Sequence, residues 1–497
     1  MKKTILHQLK TKGTVLDGMS YVIECGDGST VVIDGAMYED GDELYRYLRE
    51  LCGDKDPVVD AWFITHAHPD HTYGAKAVAE KYSDRITVKK MIYRFPDEAF
   101  LKVKEPDCLV QVPAFENAIK AFGAEHVIPN AGDRYCFGDT EFEILFTCAD
   151  LPSLKEDMRQ CLNDSSTVFR MYAGGQSVLF LGDVQESGNV IMAKRYGSKL
   201  KSDVCQVAHH GYNASIPSFY NMVKPDILLW PASEKMFEIL SEGVIASRYL
   251  VNEMDIKDIY LHGHGTVALE LPITARAEPF LPKHSELPKI ELKAELSIPH
   301  TDLTPDINDP LGESWSGSEY KKIEGRVLQE GEPFDSFYKA FWRDDKLYVN
   351  VRVDKRFIST PDEVSTTKSD AMGLFFTDRA ITDRYVFWSD LTSEVGNYVN
   401  LRVYGEEKNH CGKKIKNLGA GDNCRSSYLI EDGRFYLTAC IQMGSVHKKG
   451  DVVGFNIDVA GLDESTKKRK YSRALVFDSH GGNHGFSPFA IIYTELV

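Results

Sequence analysis

The chain has 497 residues, 43% of them hydrophobic and 27% charged, and a formal net charge of -16. This length predicts two or three domains with large cores, and the composition is that of an ordinary globular protein. The acidic balance disfavours a dedicated nucleic-acid binder, because negative surfaces repel phosphate backbones. No apolar run is long enough to cross a bilayer, so we expect no membrane span.

Two features bear on the cellular compartment. Lys2 and Lys3 are not followed by the apolar segment that a secretory signal needs, so we expect no signal peptide. The ten cysteines are scattered and form no CxxC pair, which favours reduced thiols over a disulfide framework. These features predict a cytoplasmic protein, with a role at the cell surface as the alternative.

Short strands alternate with helices through the first half of the sequence. Helical spacing of apolar residues predicts helices over 42–52 and 74–82. Apolar runs bounded by turn residues predict strands at 20–25, 30–34, 58–64, 141–146, 167–172, 177–181, 203–208 and 226–230. Strands that alternate with helices and loops indicate a layered α/β domain.

A cluster of potential metal ligands directly follows the strand predicted over 58–64. The sequence there reads Thr65-His66-Ala67-His68-Pro69-Asp70-His71. Imidazole and carboxylate are the ligands that divalent zinc, manganese or iron prefer. A tight turn off the strand end can aim the first two histidines at one ion, and the aspartate and last histidine at a second. The alternative is a solvated polar loop.

Two later strands end in residues of the same kind. The run Ser177-Val178-Leu179-Phe180-Leu181 ends in Gly182-Asp183, and a carboxylate at a strand end can bridge two cations. The run predicted over 203–208 ends in His209-His210-Gly211. Strands that deliver ligands from one edge of a sheet can converge on a single site.

Taken together, these motifs resemble the metallo-β-lactamase superfamily of hydrolases. The His-His-Gly form, with Asn163-Asp164-Ser165-Ser166 ahead of the Gly-Asp strand, is similar to the branch that contains the ComEC-type competence-protein domain. The teichoic-acid phosphorylcholine esterases look similar too. The resemblance covers about residues 1–270 and implies an αββα sandwich with a dinuclear site on its upper edge.

The resemblance also implies roles for individual residues. His66 and His68 are expected to hold the first metal, Asp70 and His71 the second, and Asp183 to bridge the two. The implied cofactors are two divalent ions, with Zn²⁺ favoured and Mn²⁺ or Fe²⁺ as alternatives. Two such ions bring the pKa of a bridging water towards neutrality, which gives a hydroxide nucleophile, and they stabilise an oxyanion. Asp70 is also expected to orient this hydroxide.

Other positions stay open at this stage. One of His209 and His210 is expected to complete the shell of the second metal, and the other to hydrogen-bond the substrate or to support a ligand from behind. Either this second histidine or a metal-bound water is expected to protonate the leaving group. Many superfamily members have a histidine where this chain has Asn163-Asp164. Either Asp164 ligates the first metal instead, or these residues form a turn and the first metal keeps more water.

Four residues are weaker candidates for the rim of the site. Tyr212 and Asn213 follow the His-His-Gly turn and are candidate substrate-binding residues, with a polar loop as the alternative. His262 and His264 lie in a glycine-rich segment, which we interpret as a plain turn.

The composition changes near residue 275. Several prolines punctuate a polar segment, and after it the pattern becomes almost purely alternating, as in Lys346-Leu347-Tyr348-Val349-Asn350-Val351-Arg352-Val353. Many short strands with turns between them predict an antiparallel β-sandwich. The predicted fold class is therefore α+β, with a hydrolase domain at 1–273, a linker at 274–300 and a sandwich at 301–497.

The C-terminal half resembles family 9 carbohydrate-binding modules and DOMON-like sandwiches. The resembling pieces are 341–354, 369–376 and 453–458. The resemblance implies a possible glycan ligand. Trp315, Trp342 and Trp388 are available to stack on sugars, although a tryptophan in such a domain is more often buried in the core.

The leading hypothesis is a metal-dependent hydrolase of a phosphoester, either a small molecule or a glycan-linked ester, with an accessory glycan-recognition domain. One alternative is a glycan-binding or scaffold protein whose hydrolase domain is weak or silent. Another is a hydrolase of a lactone, thioester or lactam that uses the same hydroxide.

Overall fold

In the computed structural model the described residues are 2–12, 17–154, 160–212, 215–284, 294–323, 334–354, 371–379, 398–404, 416–417, 424–444, 447–462, 469–474 and 492–497. The chain divides into two compact units, Met1–Glu286 and Leu287–Val497. No helix among the described residues is both long and apolar enough to span a membrane.

The first unit contains sixteen strands and eight α-helices among its described residues. The strands are β1 (Ile5–Gln8), β2 (Tyr21–Glu24), β3 (Thr30–Ile33), β4 (Val58–Val59), β5 (Ala61–Phe63), β6 (Thr87–Val88), β7 (Lys90–Ile92), β8 (Glu125–Val127), β9 (Arg134–Phe137), β10 (Thr140–Phe146), β11 (Val168–Ala173), β12 (Gln176–Phe180), β13 (Val204–Gln206), β14 (Ile227–Trp230), β15 (Asp258–Leu261) and β16 (Val267–Glu270). The helices are α1 (Gly41–Leu51), α2 (Pro69–Tyr82), α3 (Glu98–Lys104), α4 (Cys108–Ile119), α5 (Glu186–Tyr196), α6 (Pro217–Val223), α7 (Glu234–Gly243) and α8 (Ile245–Asn252). Short 3-10 helices lie at Tyr38–Asp40, Lys120–Phe122, Cys148–Asp150, Leu162–Ser165, Gly197–Leu200, Ala208–Gly211 and His262–His264.

Fourteen strands of this unit form two seven-stranded sheets, and β4 and β6 form a separate two-stranded sheet. The orders of the two larger sheets are β16-β1-β2-β3-β5-β7-β8 and β15-β14-β13-β12-β11-β10-β9. Side chains from both of these sheets, such as Ile23, Phe63, Phe169 and Leu229, are buried in one shared apolar core, so the sheets face each other. The pairs β3–β5 and β12–β13 are parallel, and each therefore presents two carboxyl strand ends at the same edge.

Helices cover the outer faces of these sheets. In α1 the buried residues Leu44 and Leu48 recur at helical spacing, and they pack with Val78 of α2 against the far side of the first sheet. On the second sheet the ring of Phe237 in α7 meets Trp230 in β14 edge to face. The layers therefore run helix, sheet, sheet, helix.

The helices and strands predicted for this half are confirmed, with two differences. Helix α2 begins at Pro69, ahead of the predicted start at residue 74. The segment predicted as one strand over 58–64 is divided into β4 and β5, which pair with different partners. Asp60 lies between them and accepts a hydrogen bond from Thr30 N at 2.9 Å, so the chain bends there to satisfy a polar group.

The second unit is built only of strands and one short 3-10 helix among its described residues. The strands are β17 (Leu296–Ile298), β18 (Lys321–Lys322), β19 (Ser336–Arg343), β20 (Lys346–Val353), β21 (Ala371–Thr377), β22 (Tyr398–Tyr404), β23 (Lys416–Asn417), β24 (Cys424–Glu431), β25 (Arg434–Gln442), β26 (Val452–Leu462), β27 (Arg469–Ala474) and β28 (Ile492–Leu496), and the 3-10 helix is Glu313–Trp315. The first of these strands lies inside the segment that the sequence analysis assigns to a linker.

Two sheets make up this unit. One has the order β17-β28-β26-β21-β22-β23, with β27 also paired to β26, and the other the order β18-β19-β20-β25-β24. Val349 and Leu437 from the second sheet share a core with Leu374 and Ile457 from the first. The strict alternation of β20 places every second side chain in this core. The predicted α+β fold class, with a β-sandwich after the layered domain, is confirmed.

The tryptophans proposed as sugar platforms are buried where the structure describes them. Trp315 and Trp342 are 1% and 6% exposed, and the indole N–H of each donates to a backbone carbonyl. Trp388 lies outside the described residues. Neither described indole therefore offers a free face to a sugar.

A buried histidine in the second unit predicts a pH-dependent stability. Hydrogen bonding to the carboxylate of Asp378, with the charges of Asp378 and Asp451, raises the pKa of His447 against the opposing effect of burial. Because the folded-state pKa is the higher one, this contribution is complete below the unfolded value near 6.5 and is lost as pH rises through the folded value. The apparent Tm of the second unit is therefore expected to fall as pH rises above about 6.5. A His447→Gln variant should show a flatter profile when the full chain is melted across this range.

Candidate metal centre

The polar side chains of the candidate site all follow carboxyl ends of strands. Asp34 comes directly after β3, His66 follows β5, Asp183 follows β12, and His209 and His210 follow β13. Strand ends that meet at one edge bring distant parts of the sequence together. The three ligand segments predicted from sequence are therefore neighbours in space.

The first cluster consists of His66, His68 and Asp183. His66 Nε2 lies 3.0 Å from His68 Nδ1 and 3.8 Å from Asp183 Oδ2. Each residue offers one ligand atom, and these atoms lie within 4.8 Å of one another. His66 and Asp183 are buried, whereas His68 is partly exposed. The cluster thus has the size of one metal site with an accessible side.

The second cluster consists of Asp70, His71, Asp183 and His210. His71 Nε2 lies 3.3 Å from Asp183 Oδ2, 3.7 Å from Asp70 Oδ2 and 3.4 Å from His210 Nε2. His210 Nε2 lies 3.4 Å from Asp70 Oδ2 and 3.7 Å from Asp183 Oδ2. A tetrahedron with metal–ligand bonds of 2.0–2.2 Å has edges of about 3.3–3.6 Å. Three of the five distances lie in this range and the other two exceed it by about 0.1 Å, so the residues fit a four-coordinate divalent ion.

The hydrogen bonding of Asp183 also fits a metal centre. Oδ2 is the atom shared by both clusters, whereas Oδ1 is buried with no hydrogen-bond partner in the part of the chain that the structure describes. A buried carboxylate oxygen without a partner is costly, and a bound cation would remove that cost. Asp183 is therefore suited to bridge two ions.

The electrostatics of the second cluster favour bound positive charge. Burial alone would raise the pKa of Asp183, but the rings of His71, His210 and His209 lower it well below its usual range. Burial would likewise lower the pKa of His71, but the carboxylates around it, Asp183 first, raise it well above the ordinary value. The carboxylates are thus kept ionised and attract a cation.

The turn after β5 is shaped to deliver its ligands on two sides. His68 has an extended backbone (φ -69°, ψ 150°) and ends the turn, and Pro69 occupies the first helical position of α2. Asp70 and His71 consequently lie in the first turn of that helix. Thr65 O accepts a hydrogen bond from Thr167 N at 2.7 Å, which ties the turn to the second sheet.

The His-His-Gly turn has an unusual backbone. His209, His210 and Gly211 have φ values of 50°, 55° and 94°, in the left-handed region that non-glycine residues seldom adopt. His210 Nδ1 donates to Pro231 O at 2.7 Å, and Trp230 Nε1 donates to His210 O at 2.8 Å. These bonds hold His210 with its Nε2 directed at the second cluster. A Cβ on Gly211 would lie 2.6 Å from Trp230, so only glycine fits there.

The structure separates the two histidines whose roles the sequence left open. His210 joins the second cluster, whereas His209 belongs to neither. The ring of His209 is a quarter exposed, and its Nε2 lies 3.9 Å from Asp183 Oδ2 and 3.2 Å from the amide nitrogen of Asn163. Burial lowers the pKa of His209 to about 4. This neutral ring lies beside the clusters, facing the partly exposed side.

Asp164 is not brought into either cluster, although the sequence made it a candidate ligand. Its Oδ1 accepts hydrogen bonds from the backbone N–H groups of Gln185 and Gly188, and its Oδ2 from that of Cys161. The carboxylate therefore lies at the N-terminal end of α5, where unpaired N–H groups attract negative charge. This arrangement favours the turn interpretation of Asn163-Asp164.

The remaining candidates lie at the edge of the site. The ring of Tyr212 lies 5.2 Å from that of His209, and Asn213 lies outside the described residues. His262 is buried, with its Nε2 3.9 Å from Asp17, whereas His264 is exposed against Phe280. The glycine-rich segment that holds both histidines forms a short 3-10 turn, as predicted.

Asp34 is a functional candidate that the sequence analysis missed. It is fully buried, and its Oδ2 accepts hydrogen bonds at 2.8 Å from His71 Nδ1 and from the Thr65 hydroxyl, while Oδ1 accepts one from Thr65 N. The bond to Nδ1 fixes the tautomer of His71, so that Nε2 is free to bind a metal. The only sequence signal was an aspartate at the end of the apolar run 30–34.

Replacing Asp34 with asparagine tests this positioning role. An amide cannot accept all three hydrogen bonds as well as a carboxylate, so we expect the second cluster to lose about 10- to 100-fold in zinc affinity. A matched control is Asp203→Asn, because Asp203 accepts the same pair of bonds from Ser177 N and Oγ but contacts no histidine. Competition titration with a chelator would measure both, and equal losses would contradict the role of Asp34.

Comparison with known proteins agrees with this geometry. The sequence model of the Metallo-beta-lactamase superfamily matches residues 13–216. Competence protein ComA of Neisseria gonorrhoeae is 33% identical over 105 residues, which are 21% of this chain and 14% of ComA. ComE operon protein 3 of Bacillus subtilis (strain 168) is 28% identical over 160 residues, 32% of this chain and 18% of that protein. The chain thus spans less than a fifth of either curated relative.

The comparison with solved structures also gives a carbohydrate-binding module. This module is a family 9 carbohydrate-binding module from Caldicellulosiruptor kristjanssonii, solved with cellotriose. The match covers 40% of the present chain and 92% of the module, with 17% identity and a TM-score of 0.33. For the first unit, the superfamily match and the two ligand clusters point the same way. The residues that match the superfamily model, 13–216, include every residue of the two ligand clusters, so the first unit is similar to metallo-beta-lactamase superfamily proteins and has a candidate His/Asp metal centre.

Proposed function

We propose that the first unit is a metal-dependent hydrolase of phosphoesters, most directly of phosphodiesters, with two divalent ions at the two clusters. The observation that carries this proposal is the sharing of Asp183 Oδ2 between His66 and His68 on one side and Asp70, His71 and His210 on the other. One bridging carboxylate sets two ions close together, as in two-metal phosphatases and nucleases.

Different residues would hold the ions and contact the substrate. Bound divalent ions would supply a nucleophile at neutral pH and neutralise charge on the substrate. His71 and His210 are fixed through Asp34 and Pro231 O, so their ligand atoms need no reorganisation. His209 is the one histidine beside the clusters that belongs to neither, and it is partly exposed. We propose that it contacts the leaving group or a substrate oxygen.

The charge of the centre favours a phosphoester over a neutral ester or lactam. Two divalent ions with the carboxylates of Asp70 and Asp183 would carry a net charge of about +2, because neutral imidazoles add none. A phosphodiester brings a negative charge into this positive centre, whereas a lactone, thioester or lactam does not. One matched relative is a competence protein by name and the other is a ComE operon protein, which supports a place in the ComEC-type branch that the His-His-Gly motif suggests.

Hydrolysis of matched chromogenic substrates tests the proposal. The full chain, loaded with Zn²⁺ or Mn²⁺, is expected to cleave bis-p-nitrophenyl phosphate with a higher kcat/KM than p-nitrophenyl acetate or a chromogenic lactam. Faster cleavage of the acetate or lactam would instead support the lactone, thioester or lactam alternative. If about two ions bind and none of the three substrates is cleaved, that result would support the alternative of a glycan-binding or scaffold protein with a silent hydrolase domain.

We also propose glycan recognition for the second unit, on its sequence resemblance to family 9 modules. Trp315 and Trp342 are buried, so sugar contacts would have to come from other residues. Affinity electrophoresis of the full chain in gels that contain soluble glucans provides the test. Retarded migration in at least one glucan is expected, and unchanged migration across the panel together with a blank glycan array would end this proposal.

A further inference from the structure

We propose that Asn163 completes the first metal site with its side-chain oxygen, which makes the two sites of the centre unequal. This inference rests on the proposed dinuclear centre and adds a ligand to it. Its consequence is that the first site, with an amide oxygen in place of an imidazole, binds zinc more weakly than the second and releases it first.

The contacts of Asn163 and its neighbour Leu162 place it between two segments that carry ligand residues. It lies in the 3-10 helix Leu162–Ser165, whose first residue packs in one apolar cluster with Ala67, the residue between His66 and His68. On the other side, its amide nitrogen lies 3.2 Å from His209 Nε2. Asn163 is thus held between the histidine turn after β5 and the His-His-Gly turn.

The hydrogen bonding of Asn163 leaves its oxygen without a partner. Asn163 is 7% exposed, and its Oδ1 has no hydrogen-bond partner among the residues that the structure describes. The amide nitrogen already has His209 as its neighbour, so the oxygen is the atom of this amide that is left to bind an ion. Buried amide oxygens are normally hydrogen-bonded or coordinated, and an ion in the first cluster would satisfy this one.

Neighbouring residues cannot take this role as readily. The carboxylate of Asp164 accepts hydrogen bonds from two backbone N–H groups at the start of α5 and from the backbone N–H of Cys161. His209 Nε2 lies 3.2 Å from the amide nitrogen of Asn163, and its Nδ1 lies 3.4 Å from that of Gln185, so both ring nitrogens already face side-chain amides. Oδ1 of Asn163 and Oδ1 of Asp183 are both buried and lack hydrogen-bond partners in the described structure.

The inequality of the sites follows from the donors. The second cluster has two imidazoles and two carboxylates, all within tetrahedral spacing. The first has two imidazoles, one carboxylate that it shares, and the neutral amide of Asn163. An amide oxygen is a weaker and harder donor than an imidazole, so it lowers the affinity for zinc more than that for manganese.

Zinc loading of the full chain, measured by competition with a chromophoric chelator and by metal counting after gel filtration, tests this inference. The wild-type protein is expected to bind two zinc ions in two steps that differ at least about tenfold in affinity. Asn163→Ala should retain one ion. Asn163→His should strengthen the weaker step about tenfold, because it restores an imidazole.

Asp164→Asn is the matched control from the adjacent position. It should lower thermal stability by weakening the start of α5 while leaving both zinc affinities within about twofold of wild type. Asn163→His is expected to increase zinc affinity, and a misfolded variant would not show such an increase. If Asn163→Ala and Asn163→His both bind zinc as wild type does, the inference is wrong while the dinuclear centre stands. If the wild-type chain binds no zinc at all, the proposed function itself fails.

Discussion

Asp183→Ala is expected to reduce zinc binding at both sites and to lower kcat/KM for a phosphodiester by at least about 10³-fold, or about 4 kcal/mol. The reason is that Oδ2 of this residue is the one ligand atom common to both clusters. Loss of any other ligand leaves one cluster intact, whereas loss of this carboxylate removes a donor from each. It also removes negative charge that balances two dications in a buried site.

Metal counting separates this expectation from simple unfolding. Asp183→Asn keeps the shape and one oxygen, so it should retain a measurable part of the zinc affinity and fold as the parent does. Asp226→Ala is a surface control, because Asp226 pairs with Lys257 while half exposed and lies at the start of β14, away from the ligands. Parental activity and two bound ions in Asp183→Ala would contradict the bridging role. Glycan binding by the second unit, if present, should be unchanged in all three variants.

The ligand segments were predictable because each is compact in sequence. His66 to His71 fall within one turn that follows a buried strand, and Gly182-Asp183 and His209-His210 each sit at the end of an apolar run. Such local patterns need no knowledge of which strands pair. The strand and helix positions of the first unit were readable for the same reason, since hydrophobic spacing is local.

The parts that could not be predicted depend on contacts between distant segments. Asp34 meets His71 only because β3 and β5 pair in parallel, 37 positions apart along the chain. Asp164 has the right chemistry for a ligand, but the start of α5 comes close enough to occupy its carboxylate. The choice of His210 over His209 depends on a backbone in the left-handed region and on Pro231, which no local pattern reveals.

A second large effect is expected from Gly74→Ala, which should destabilise the first unit by at least about 3 kcal/mol. A Cβ at this position would lie 1.7 Å from Gly35 O, and a Cβ on Gly35 would lie 2.4 Å from Ala75 N. Helix α2 and the turn after β3 are therefore in direct backbone contact. Gly35 N also donates to His71 O at 2.8 Å, and Gly74 N to Ala36 O at 2.9 Å.

This contact links the stability of the fold to the geometry of the metal centre. The same helix turn that carries Asp70 and His71 is held against Asp34 by these backbone bonds, so an added methyl group must push α2 away from β3. We therefore expect Gly74→Ala to lower both the thermal transition of the first unit and zinc affinity at the second cluster. Differential scanning calorimetry and zinc titration of the full chain would measure the two effects.

Gly53→Ala provides a matched glycine-to-alanine control. Nothing lies within 4 Å of a Cβ built there, but its φ of 64° is left-handed, so the substitution carries a conformational cost of about 1–2 kcal/mol without a collision. It should leave zinc affinity unchanged, because Gly53 follows α1 and is remote in sequence from every ligand. If the two variants lose the same stability and bind zinc alike, α2 can move away from β3 at little cost. The close packing of Gly35 on Gly74 would then not be what positions Asp70 and His71.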